Sequence, residues 1–71
     1  MVRKHVNWNS SSIRALRRHM GLTQAEMAVE LGTRQQTISE WEVGMYKPQG
    51  TSATLLTFVA ERSNFAYKAD R

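Results

Sequence analysis

Arg34, Gln35, Gln36, Ser39 and Glu40 crowd into the segment "TRQQTISEWE", residues 33 to 42. Each has a side chain that suits the edge of a nucleic-acid base. A glutamine amide offers a donor and an acceptor in one plane, matching N7 and N6 of adenine. An arginine fork matches O6 and N7 of guanine, and each such pair supplies about 1–3 kcal/mol of discrimination. The Glu40 carboxylate is unfavourable near phosphates unless it accepts from cytosine N4 or pairs with Arg34 or Lys47. Taken alone, the same residues would also make an ordinary solvated face.

Other chemistry has no residues to carry it. The chain has no cysteine, so it has no thiolate metal site and no disulfide. His5 and His19 have no ligand partners at metal spacing. No nucleophile–base pair or phosphate loop is visible, and a core this small leaves no room for a deep pocket. No catalytic residue, metal or cofactor is expected.

The polar face needs a helix to present it. At 100° per residue, Ile38 and Trp41 define an inner stripe, and Gln36 and Glu40 point almost directly away. Gln35 and Ser39 flank them, with Arg34 in the first turn. This helix is expected from Arg34 to about Val43, capped by Thr33 and stopped by Gly44. Before it, Thr23 and Glu26 form a capping box, followed by Ala25, Met27, Ala28 and Leu31 as a buried side, and Gly32 breaks that helix. A first helix, capped by Ser10 to Ser12, carries Ile13, Leu16 and Met20 at helical spacing and ends at Gly21. Beyond a loop with Pro48 and Gly50, Thr51 or Ser52 caps a fourth helix. Its apolar residues are Ala53, Leu55, Leu56, Phe58, Val59 and Ala60. Trp8, Phe58, Phe65 and Tyr67 are expected in the core or in a small dimer patch.

With 71 residues the chain forms one domain. A domain of this size buries only about 60% of its unfolded surface and is marginally stable. The net charge is +4, and Arg3, Lys4, Arg14, Arg17 and Arg18 all precede the first acid, Glu26. That balance fits either a polyanion partner or a soluble surface. No run approaches the ~20 apolar residues of a membrane span, and no apolar run follows the charged start as in a signal peptide. A cytoplasmic protein is the expectation.

Two short helices joined by a tight glycine turn are the grammar of helix-turn-helix. Ala28 permits the close crossing, and Gly32 the reversal. The stretch "GLTQAEMAVELGTRQQTISEWEVGMYKP" resembles the lambda-repressor-like, Cro/C1-type helix-turn-helix domain, from Ile13 to about Val59. The resemblance implies an all-α, compact bundle of four to five short helices, with the third in the DNA major groove and the second across the backbone. It divides the chain into an N-terminal arm (1–9), a DNA-binding domain (10–63) and a tail or short helix (64–71).

By resemblance, Arg34, Gln35, Gln36 and Glu40 match base-contacting positions, and Thr37 a phosphate-contacting one. Gln24 matches a phosphate clamp at the start of the second helix, where free amides and the dipole favour an anion. Tyr46 and Lys47, just after the third helix, are expected at phosphates, and Arg14, Thr33 and Ser39 complete that set. Arg17 and Glu42 match a structural ion pair joining the first helix to the third. The arginine fork suits a carboxylate.

The function expected is sequence-specific binding of double-stranded DNA by a small transcriptional regulator, as a homodimer on a two-fold operator. The alternative is an antitoxin that also holds a toxin protein and represses its own operon. Its feature is the spacing from Pro48 into the fourth helix.

Overall fold

The computed structural model describes residues 8–65, which contain four helices: α1 (Ser10–Met20), α2 (Gln24–Leu31), α3 (Gln35–Glu42) and α4 (Thr51–Arg62). Arg3, Lys4, His5 and Tyr67, and most of the expected C-terminal turn, lie outside the described residues. The all-α bundle expected from the sequence is present, at four helices among the described residues. None is long and apolar enough to cross a membrane.

Helix ends follow local sequence, with corrections. Thr23 and Glu26 form the expected box, the Thr23 N–H donating to Glu26 Oε1 at 2.8 Å and the Glu26 N–H to Thr23 Oγ1 at 3.1 Å. At α1 the N-cap is Asn9 and not a serine, but Ser12 completes a capping box, Asn9 Oδ1 accepting from the Ser12 N–H at 2.9 Å while Ser12 Oγ accepts from the Asn9 N–H. Thr33 does not cap α3 either. Its N–H instead closes α2 by donating to the Ala28 carbonyl at 2.9 Å, and Arg34 takes the N-cap position with no side-chain bond. Neither Thr51 nor Ser52 caps α4, whose N-cap is Gly50.

Between α2 and α3, Gly32 sits at φ +67°. There an L side chain is strained by its own backbone, with open space around it. The end of α4 uses the same geometry without a glycine. Asn64 takes φ +59°, and the Phe65 N–H reaches back to the Ala60 carbonyl at 2.9 Å.

The core draws on every helix: Ile13 and Leu16, Met27, Ala28 and Leu31, Ile38 and Trp41, and Leu56, Val59 and Ala60. Met27 and Leu31 from α2 thus share one core with Ile38 and Trp41 from α3. Ala25 is exposed, contrary to expectation, because Met27, Ala28 and Leu31 set a stripe that it lies well off. Phe58 is 61% exposed for the same reason, since Leu56, Val59 and Ala60 define the buried side of α4. Trp8, within the arm of the domain plan but expected in the core or a dimer patch, is a core residue only 3% exposed, and its Nε1 donates to Thr57 Oγ1 at 3.1 Å. Trp8 and Asn9 are thus built into the globule.

Candidate nucleic-acid interface

The inner row of α3 is fully committed. Ile38 and Trp41 are buried, and Glu42 is 4% exposed. A carboxylate this deep must be compensated. Arg17 grips it with a fork, Nε to Oε2 at 2.6 Å and Nη2 to Oε1 at 2.9 Å. Gln24 Nε2 donates to Oε1 at 3.2 Å. Arg14 adds its charge 3.7 Å from Oε1 and donates through Nη2 to the Glu42 carbonyl at 2.8 Å. That carbonyl is among the last of α3, where no intrahelical donor remains and a cation is favoured. Arg17 Nη1 also donates to the Leu22 carbonyl, at 3.1 Å, so one side chain ties the α1–α2 turn to α3.

Burial pushes the Glu42 carboxyl up, but the hydrogen bonds from Arg17 and Gln24 and the charges of Arg17 and Arg14 outweigh it. The net effect holds the carboxyl below its ordinary value. The hydrogen bond to Glu42 raises Arg17 in turn. No buried side-chain polar atom among the described residues lacks a partner. The ion pair expected by resemblance is present as a node that also gathers Gln24 and Arg14. The signal for Gln24 was in its spacing. It precedes Ala28 by four residues and Leu31 by seven, which puts it on the inner face of α2.

The outer row of α3 is open. Arg34, Gln35 and Gln36 are exposed, and Thr37, Ser39 and Glu40 are half-buried. Gln36 Nε2 donates to Glu40 Oε2 at 3.2 Å, one turn along the helix. Of the two ways the sequence offered to offset Glu40, the pair with Arg34 or Lys47 is not formed among the described residues. Past α3, Tyr46 and Lys47 are exposed while Pro48 is buried and anchors the loop. Thr33 is half-buried at the turn. Arg34 and Lys47 have no ion-pair partner among the described residues, whereas Arg62 lies 3.6 Å from Glu30. His19 is a packing residue, bonding through Nε2 to the Ser63 carbonyl at 2.8 Å with its ring tilted on Phe65.

A short helix with a buried inner row, an open amide-rich outer row and a tight turn from α2 is a recognition-helix geometry. The sequence profile of the family described as Helix-turn-helix, of Cro/C1 type, matches residues 13–57. The chain belongs to this family. Members are DNA-binding regulatory domains. The match begins at the first core residue of α1 and ends within α4, so it covers both the Glu42 node and the outer row. No curated protein and no solved structure matches the chain.

Proposed function

We propose that this protein is a sequence-specific double-stranded DNA-binding transcriptional regulator, with α3 in the major groove and α2 across the backbone. The observation that carries the proposal is the division of α3. Its inner row is buried and hydrogen-bonded to α1 and α2, while its outer row of Arg34, Gln35, Gln36, Ser39 and Glu40 faces away from the core. Arg34, Gln35, Gln36 and Glu40 are the base-contacting residues in this reading, because their groups match base edges.

Phosphates are taken by Gln24, Thr33, Thr37, Ser39, Tyr46, Lys47 and Arg14. Gln24 uses one amide hydrogen on Glu42, which orients the amide and leaves its second hydrogen and Oε1 for a partner outside. Arg14 keeps its side chain 43% exposed while bound to α3. Both therefore meet the backbone from fixed positions. The protein acts in the cytoplasm as a homodimer on a two-fold site, with recognition helices about 34 Å apart. In the domain plan, residues 10–63 carry the DNA-binding function, and Trp8 and Asn9 join them structurally.

A second reading, an antitoxin that also holds a toxin, draws on α4. A groove lined by Leu55, Phe58 and Val59 and rimmed by Glu30, Glu61 and Arg62 offers apolar surface to a protein partner.

Selection of bound duplexes from a random pool tests the DNA reading. A two-fold symmetric motif is expected, with affinity falling steeply in salt at a log–log slope of about −0.9 per phosphate neutralised. Binding indifferent to salt would overturn it. Co-purification of a specific toxin that releases when Phe58 is changed to Asp would favour the second reading.

A further inference from the structure

We propose that Glu40 selects a cytosine, accepting a hydrogen bond from its N4 amino group in the major groove. The inference rests on α3 being the major-groove helix and names what one of its residues reads. Glu40 stands on the outer side of α3, and its Oε2 accepts from Gln36 Nε2 at 3.2 Å. That bond orients both side chains and leaves Glu40 Oε1 as an acceptor without a protein partner among the described residues. No cation is paired with this carboxylate among them either. It thus enters the groove with its charge intact.

A charged acceptor in that position tolerates few base edges. Guanine O6 and N7 and thymine O4 are themselves acceptors and repel it. Only adenine N6 and cytosine N4 offer hydrogens. Adenine N6 lies beside the acceptor N7, which opposes the second carboxylate oxygen, whereas cytosine N4 lies beside a C–H. Cytosine is therefore the base that accommodates the charge. On DNA lacking a cytosine at this position, the carboxylate faces acceptors and phosphates, offset at most by an adenine N6 whose neighbouring N7 opposes it. Glu40 therefore rejects wrong sites as well as preferring right ones.

The test is a selection from random duplex DNA with the full chain and with Glu40→Gln, helix content being verified by circular dichroism. Wild type should enrich a cytosine at one position in each half-site. Glu40→Gln should lose that preference at that position alone, by at least about fivefold, and should bind unrelated DNA more tightly. Glu40→Ala, run in parallel, should lose the same preference. Replacing the selected cytosine with 2-pyrimidinone, which lacks the 4-amino group, should weaken wild type by a similar factor and Glu40→Gln much less. An unchanged motif in both variants, or equal weakening by the analogue, would overturn the role of Glu40 and leave the major-groove reading standing. A wild-type pool with no motif would overturn that reading and this inference with it.

Discussion

Arg17 holds Glu42 with two parallel hydrogen bonds, Nε to Oε2 at 2.6 Å and Nη2 to Oε1 at 2.9 Å, across 25 residues of chain. The pair fastens α3 to α1, and with Gln24 it joins three helices at one carboxylate. Removing one partner leaves the other charge in a site from which water is largely excluded. Arg17→Ala should lower stability by roughly 3 kcal/mol, within the range for broken buried pairs. Urea unfolding of the single and double variants with Glu42→Ala measures the coupling. Additive losses would show that the two side chains act independently.

The same pair makes folding sensitive to acid. The Glu42 carboxyl is held below its ordinary value of 4.5 in the folded state. A depressed group contributes its full stabilisation above the unfolded value and loses it as pH falls through the folded one. Stability should therefore decline from about pH 4.5 downward. Glu42→Gln should be less stable at neutral pH and should decline less steeply. Urea midpoints from pH 7 to pH 3 provide the comparison, and parallel curves would exclude Glu42 as the source.

Gly32 allows α2 to turn into α3. Because the space around it is open, only backbone strain opposes a side chain. Gly32→Ala should cost about 1–2 kcal/mol. Gly32→Asn should cost less, since asparagine tolerates the left-handed region, as Asn64 does at the end of α4. Thermal midpoints rank the three proteins, and a larger loss for asparagine would contradict the strain account.

Trp8 seals the core from outside α1. Trp8→Ala should cost about 3–5 kcal/mol, as for other large core truncations. Trp8→Phe should cost less, since it keeps most of the apolar contact and gives up the bond to Thr57. Chemical denaturation of both variants decides the matter. A Trp8→Ala protein as stable as wild type would return the residue to the arm.

Gln35 is exposed, and its side chain makes no hydrogen bond to the protein among the described residues. Gln35→Ala should leave the unfolding midpoint within about 0.5 kcal/mol. It should lose discrimination at one base pair, by about 1–3 kcal/mol. Binding of the selected site and its single-base variants reads this out. An unchanged profile would shift the register of α3 in the groove.

Much of the fold was legible because it is local. The Thr23–Glu26 box and the glycine at the end of α2 each bind groups within five residues of themselves. At α1, Asn9 and three serines compete for one cap, while at α3 and α4 the N-cap falls on Arg34 and Gly50, which make no side-chain bond. Spacing alone does not choose the cap. The outer row of α3 was also legible, since a helix with only Ile38 and Trp41 inside must turn Gln36 and Glu40 out.

The sequence by itself determined four short helices, their turns and the polar row on the third, because each depends on neighbours within a turn or two. Tertiary structure decided which side chains meet. It brought Trp8 to Thr57 across 49 residues, and Arg14, Arg17 and Gln24 to Glu42 across 18 to 28. Those meetings depend on how helices cross. Helix crossing is set by the whole core packing at once, with Ala28 small enough to let α3 lie close and Glu42 buried deep enough to require three partners.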